Sequence, residues 1–372
     1  MSIVFNDLGA QYKELKSGID RAINGVIKKG DFILGREVGL FEEDFARFCG
    51  SRYAVGVSSG TAALFLALVS LGVKAGDEVL VPSFTYIATA MAVSYTGATP
   101  VFIDIEENTY NIDPKKIKRA VSRNTRAIIP VHLFGQPAKM PEIMGLARTY
   151  RLAVIEDAAQ AHGAGILIPG GKWRAAGSLG KLGCFSFYPS KNLGGMGDGG
   201  LVTTDSKDLY LKLTLLRDQG RISKYDHAII GYNSRLDTVQ AAVLRVKLKR
   251  LRVWNRLRRK NVCLYNRFFK GSAVMTPYES PGLSHVYHVY AIRVKGRDKV
   301  YQELRRRGIG ALIHYPLPLH LQKAYRDLGY RKGDFPMAEK VCGEIISLPM
   351  HPYLKEEQIK YVVDSVKEAL NN

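Results

Sequence analysis

Between residues 50 and 205 the chain repeats one pattern: a short apolar run, then a stretch in which apolar residues recur at helical spacing. The runs are 53-YAVGV-57, 78-EVLVP-82, 100-PVFIDI-105, 126-RAIIPVHLF-134, 152-LAVIED-157, 184-CFSFY-188 and 200-GLVTT-204. Runs this short and this apolar predict strands buried on both faces, and helix-length connections predict a mostly parallel sheet covered by helices. The fold class is therefore α/β. Around 245-RVKLKRLRVWNRLRRK-260, Leu244, just before it, and Leu248 and Leu251 within it fall at helical spacing with cations between them, which predicts a helix with one buried stripe and a solvated basic face. Beyond it the pattern changes. The segment 286-VYHVYAIRV-294 alternates like a half-exposed strand, 298-DKVYQELRRRG-308 reads as a helix closed by Gly308, and 355-KEEQIKYVVDSVKEALNN-372 as a final amphipathic helix. A large domain over residues 1–254 and a smaller α+β domain over 255–372 follow.

Composition narrows the class. With 372 residues, 46% hydrophobic and 24% charged, the chain has ordinary globular usage, which excludes disorder. The apolar stretch 61-TAALFLALVSLGV-73 is too short to cross a bilayer and the N-terminus lacks a signal-peptide pattern, so a cytoplasmic protein without membrane attachment is expected. Cys49, Cys184, Cys263 and Cys342 are far apart, and no pair has metal-ligand spacing, so no metal is expected. The net charge of +20 raises the local concentration of anions such as nucleotides and phosphates. No helix-turn-helix, zinc-finger or RNA-recognition signature accompanies the charge, which leaves little for nucleic acid.

Three segments end predicted strands, where ligands of open α/β sheets collect. In 58-SSGTAALFLAL-68, Gly60 and Thr61 open an apolar helix whose free N–H groups form a phosphate cradle or, equally, an ordinary capped helix start. In 153-AVIEDAAQAHGA-164, a buried strand ends in Glu156 and Asp157. A carboxylate there needs a cation, either a ligand nitrogen or an arginine, and His162 beside it reads as a ligand contact or a hydrogen-bonded structural histidine. In 183-GCFSFYPSKNLGGMGDGG-200, Lys191 stands between an aromatic strand and a glycine-rich loop. Lysine, lone carboxylate and phosphate cradle together match what pyridoxal phosphate requires, with the glycines letting cofactor and substrate approach the backbone.

The ordered segments GTAAL, PSFTYIATA, PVFIDI, IIPVHLFGQPA, IEDAAQAHGA, FSFYPSKNLGGMGDGG, GYNSRLDTVQAA, HYPLPLH and LPMHPYL run through nearly the whole chain. They closely resemble the DegT/DnrJ/StrS family of sugar aminotransferases. The resemblance implies the aspartate aminotransferase fold (fold type I) and the cofactor pyridoxal 5'-phosphate, which carries the amino group as its pyridoxamine form between half-reactions. By this resemblance Lys191 bonds the cofactor and then moves protons, Asp157 pairs with the ring nitrogen, Gln160 lies near the ring hydroxyl, Tyr86 stacks on the ring, and Gly60, Thr61 and Ser186 hold the phosphate. Asn233, in GYNSRLD, reaches the phosphate of the neighbouring subunit, which implies a homodimer. Some members carry histidine in place of the lysine and dehydrate their substrate; here the motif reads SKN.

The implied donor is L-glutamate, leaving 2-oxoglutarate, and the implied acceptor is a nucleotide-linked keto sugar. Around EDAAQAHGA, FSFYPSKNLG and GYNSRLD the sequence looks most like members that aminate C3 of a dTDP-linked 3-keto-6-deoxyhexose, with C4-specific or UDP-keto-uronate enzymes as the alternative. A non-catalytic regulatory or nucleic-acid-binding protein of this fold is the alternative from another class. Arg217, Arg221, Lys224, Tyr225, His227 and Arg235, near GYNSRLD, are the candidates for diphosphate and sugar, joined by His162 and by His314, Tyr315 and His320 of HYPLPLH.

Overall fold

The computed structural model describes residues 2–371. Nine strands, β1 (Tyr53–Val57), β2 (Glu78–Pro82), β3 (Thr99–Ile103), β4 (Thr125–Ile128), β5 (Ala153–Asp157), β6 (Gly165–Ile168), β7 (Lys172–Ala175), β8 (Leu182–Ser186) and β9 (Gly200–Thr204), occupy the first part of the chain. Seven of them form one sheet in the order β1-β9-β8-β5-β4-β2-β3. All of its pairings are parallel except those of β9, which runs against both β1 and β8. Every predicted strand is present, so the mixed, mostly parallel α/β sheet follows the apolar runs. The hairpin β6–β7 lies outside the predicted strands: β6 is a four-residue apolar run, GILI, and its partner KWRA is polar and half-exposed.

Eight helices accompany these strands: α1 (Leu8–Lys29), α2 (Arg36–Cys49), α3 (Gly60–Ser70), α4 (Ala88–Tyr95), α5 (Pro114–Ala120), α6 (Met140–Tyr150), α7 (Lys207–Arg217) and α8 (Thr238–Phe269). Helix α3 is apolar all round because it lies in the core under β1, β8 and β9. Between α7 and α8 a small hairpin, β10 (Arg221–Ser223) and β11 (Asp226–His227), projects with Ile222 and Tyr225 exposed.

A second core gathers β13 (Tyr290–Arg293), which follows the short β12 (Leu283–Ser284), with α9 (Arg297–Arg306), β14 (Ile345–Leu348), preceded by α10 (Pro336–Glu344), and α11 (Glu356–Asn371). The expected boundary at 254/255 falls inside α8. That helix buries Leu244 and Leu251 beside Phe41 and Phe45 of α2, then Val262, Tyr265 and Phe269 in the second core. Ile3 joins the second core and bridges Ile309, so the first residues pack with the C-terminal part of the chain.

Two expectations need correction. The 286–294 segment is buried at every position, not half-exposed, because Tyr287, Tyr290, Ile292 and Val294 join the second core while Val289 and Ala291 pack into the core that holds α3. Its one charged member, Arg293, is matched by Glu344, which accepts from Nε at 2.9 Å and Nη2 at 2.6 Å. The basic face of α8 is not uniformly solvated. Lys247 and Arg258 are buried, Lys247 Nζ donating to the Gly194 carbonyl at 2.7 Å and Arg258 Nη1 to that of Met350 at 2.6 Å. Among the described residues no helix is long and apolar enough to cross a membrane.

Candidate active site

Strands β1, β5 and β8 point the same way, so their carboxyl ends open on one edge of the sheet. A cavity of about 460 Å³ lies there, lined by Gly60, Thr61, Tyr86, Asp157, Gln160, Ser186, Lys191, His314 and Tyr315 among its residues. A larger, more open cleft of about 650 Å³ around Glu106, Lys139 and Tyr278 contains none of the predicted site residues.

Side chains alternate across a strand, so Glu156 and Asp157 at the end of β5 face opposite ways. Glu156 turns away from the cavity and accepts hydrogen bonds from the amides of Gly177, Leu179 and Gly180 at 2.8, 2.7 and 2.6 Å. His132 adds a fourth. Its Nδ1 accepts from Ala138 N at 3.0 Å, so Nε2 carries the proton given to Glu156 at 2.9 Å. Burial pushes the Glu156 pKa up, but His132 and the amides outweigh it and the net direction is down.

Asp157 lines the cavity and is only 5% exposed. It accepts from Thr89 Oγ1 at 2.9 Å and from Ala159 N at 3.2 Å, and no arginine or lysine among the described residues forms an ion pair with it. Burial raises its pKa, against the pull of these two bonds and of the Lys191 charge. A buried carboxylate so arranged is a site for a cationic nitrogen.

Lys191 lies in the loop after β8, and burial lowers its pKa to about 8, with the charge of Asp157 acting in the opposite direction. The loop doubles back: Lys191 N donates to the Tyr188 carbonyl and Gly195 N to that of Phe187. A Cβ on Gly194 would stand 2.2 Å from the Pro189 carbonyl oxygen. The glycines of this loop therefore let the chain pack on itself, a correction to the expectation that they make room for ligands.

Ser59 caps α3, its hydroxyl accepting from Ala62 N at 3.1 Å. The Thr61 hydroxyl is thus left to the cavity, and the amides of Gly60 and Thr61 have no backbone acceptor among the described residues. A Cβ on Gly60 would stand 2.6 Å from Ser186 Cβ, so only glycine lets the helix start approach the end of β8 this closely. Free amides, two hydroxyls and the positive end of a helix form an anion cradle.

Tyr86 is 57% exposed at the cavity, its ring centroid 6.1 Å from that of Tyr315, leaving a face free for stacking. Gln160 is largely committed to the protein: Phe134 N donates to its Oε1 at 2.7 Å, and its Nε2 donates to the Tyr315 hydroxyl at 3.1 Å. His314 is tied through Nδ1 to Ser347 Oγ at 2.9 Å, and burial lowers its pKa to about 4.

Other expected contacts lie elsewhere. His162 is fully buried against Phe185 and Phe187, out of reach of a sugar. Arg217 is buried too, bonded through Nη1 to Glu42 and to the Gly56 carbonyl, and so holds α7 to α2 and β1. Arg221 and Arg235 both donate to Asp218, at 2.6 and 2.9 Å. His320 is buried against Glu339, 3.0 Å from Nε2. Lys224, Tyr225 and His227 sit on the β10–β11 hairpin, and Asn233 is exposed; none of these lines the cavity. Sequence reading missed Thr85, Thr89, Ser190, Asp198 and His288, which do. Thr85 and Thr89, one helical turn apart in SFTYIAT, and Asp198, in MGDGG, stand inside segments already singled out; His288 carries no local signal.

An amine, a carboxylate lacking a cation, an anion cradle and an open aromatic face are the groups pyridoxal phosphate needs, and they fit it. Residues 13–367 match the DegT/DnrJ/EryC1/StrS aminotransferase family. The chain is 43% identical over 367 residues to a dTDP-3-amino-3,4,6-trideoxy-alpha-D-glucose transaminase of Streptomyces venezuelae, covering 98% of this chain and 96% of that protein. It is 44% identical over 371 residues to a protein of Geobacillus stearothermophilus named a pleiotropic regulatory protein, covering 99% and 98%. The solved structure of S. venezuelae DesV in complex with a ketimine intermediate matches with a TM-score of 0.96 at 43% identity, over 100% of this chain and 99% of that one. Fold, cavity and a match over nearly the whole length agree: the chain belongs to the DegT/DnrJ/EryC1/StrS family of pyridoxal-phosphate-dependent aminotransferases.

Proposed function

We propose that this protein transfers the amino group of L-glutamate to C3 of a dTDP-linked 3-keto-6-deoxyhexose, giving a dTDP-3-amino sugar for polysaccharide or secondary-metabolite glycosylation. It acts as a cytoplasmic homodimer. The observation that carries the aminotransferase chemistry is the unpaired, buried Asp157 in the same cavity as the low-pKa Lys191. The choice of sugar rests on the similarity to the Streptomyces transaminase.

Bound there, pyridoxal phosphate supplies an electrophilic carbon and an electron-withdrawing ring. The protein does the rest. Asp157 keeps the ring nitrogen protonated, Thr89 and Ala159 N hold that carboxylate in place, and Tyr86 covers the ring. The α3 start with Thr61 and Ser186 anchors the phosphate. Lys191 Nζ takes the proton from glutamate Cα in one half-reaction and returns one to the sugar carbon in the other, a role suited to an amine whose pKa burial lowers to about 8. Asn233 reaches the cavity of the partner subunit. Its exposure outside its own cavity supports that assignment, as do the exposed Ile222, Tyr225 and Ile230 close to it in the chain.

Adding L-glutamate to the cofactor-loaded protein should bleach its visible absorbance and release 2-oxoglutarate, and Lys191→Ala should do neither. The aminated form should then convert a dTDP-3-keto-6-deoxyhexose faster than the 4-keto isomer or a UDP-keto-uronate. A wild-type protein that releases no 2-oxoglutarate sinks the aminotransferase reading, and favours the regulatory role in the name of the Geobacillus relative.

A further inference from the structure

His288 lines the same cavity as Lys191, and behind it runs a chain of buried amides whose directions two backbone carbonyls settle. Asn255 Nδ2 donates to the carbonyl of His162 at 2.9 Å, so Asn255 Oδ1 is the atom offered to Asn192. Asn192 Nδ2 donates to that Oδ1 at 2.9 Å and to the Val286 carbonyl at 3.0 Å, which uses both of its hydrogens on pure acceptors. Asn192 Oδ1 then faces His288 Nδ1 at 3.3 Å. A carbonyl oxygen only accepts, so Nδ1 carries the ring proton and Nε2 the lone pair.

Nε2 has no hydrogen-bond partner among the described residues. The groups acting on the ring are Lys191, Arg258, His314 and His162. Burial first, then the charge of Lys191, hold its pKa well below the usual histidine range, so the ring stays neutral. Lys191 needs such a neighbour. Its ammonium forms no ion pair among the described residues, and Asp157 is engaged by Thr89 and Ala159. A desolvated ammonium without an acceptor is costly.

We infer that His288 is a positioning residue for Lys191: its Nε2, unprotonated because Asn192 and Asn255 lock the tautomer, accepts a hydrogen bond from Lys191 Nζ when the free amine swings toward it. The two groups are not bonded to each other in the structure; both face the cavity, and the four-carbon lysine stem supplies the reach. The inference rests on the aminotransferase reading, which requires the amine to be freed and recaptured in each half-reaction.

The test uses the cofactor-free, full-length protein, so that failure to bind pyridoxal phosphate, which would sink the aminotransferase reading, shows up separately. In ¹⁵N-histidine-labelled wild type, the His288 ring should report the neutral Nδ1–H tautomer. Reaction of Lys191 with a neutral acylating reagent at pH 7, followed by mass spectrometry of its peptide, reads the free-amine fraction. His288→Asn keeps an amide against Asn192 and removes the cavity-facing nitrogen. It should raise that rate about tenfold, because an ammonium that loses its acceptor gives up its proton more readily. His288→Gln, whose carboxamide reaches the Nε2 position, should return it to near wild type. With cofactor, His288→Asn should lower kcat and leave KM for glutamate nearly unchanged. An Nε2–H tautomer in the wild type, or equal acylation rates in all three proteins, overturns the proposal.

Discussion

Glu156 and Asp157 are adjacent and chemically alike, yet the strand turns one into a structural anchor and the other into a ligand site. Four donors depress the Glu156 pKa; desolvation raises that of Asp157. A raised folded-state pKa means that the ionised form costs stability as pH climbs above the unfolded carboxylate range. In cofactor-free protein Asp157→Asn should therefore raise the thermal midpoint at pH 7 by calorimetry and leave it unchanged near pH 3. With cofactor, the same change should slow single-turnover 2-oxoglutarate formation by a factor on the order of 10² or more, since the ring nitrogen loses its counter-charge. Lys191 works in the other sense. Its free amine fraction grows as pH rises through about 8, so the rate at which cofactor-free protein captures pyridoxal phosphate should increase up to that pH and level off above it, as followed by stopped-flow absorbance.

At the scale of elements, the cavity depends on two supports that lie behind it. Glu156 ties β5 to the 177–180 turn before β8, and removing it leaves His132 and three amides without an acceptor. Glu156→Ala should destabilise the fold by about 3–5 kcal/mol in urea denaturation. The Lys191 loop is pinned by Lys247, which donates to the Gly194 carbonyl, and by Gln240, whose Oε1 accepts from Met196 N at 2.7 Å. Gly194→Ala drives a methyl into the Pro189 carbonyl and should cost about 1–3 kcal/mol while weakening cofactor capture. Elements were legible in the sequence where apolar periodicity was clean, as in the seven sheet strands and in α11. The buried 286–294 segment read as half-exposed because its alternating tyrosines, histidine and arginine look polar; Arg293 is tolerated inside only because Glu344, distant in sequence, meets it.

At the scale of the whole molecule, the proposal that Asn233 completes the partner's site predicts complementation. Lys191→Ala and Asn233→Ala should each be inactive alone. Unfolded together and reassembled at equal amounts, they should recover about a quarter of wild-type activity, because about half of the dimers are mixed and each of these holds one intact site. No recovery would place Asn233 outside the partner's cavity. The sequence by itself determined the layered α/β core and the strand ends, and singled out Lys191, Asp157 and Thr61, which the fold brings to one cavity, since apolar runs and strand-end motifs are local properties of the chain. Only the tertiary structure decided which polar groups are free. Arg217, Arg221 and Arg235 meet Glu42 and Asp218, and His162 and His320 go inside, whereas His288 comes to the cavity from far along the chain. Whether a charged side chain binds a ligand or another part of the protein depends on what stands opposite it in space, and no spacing along the chain encodes that.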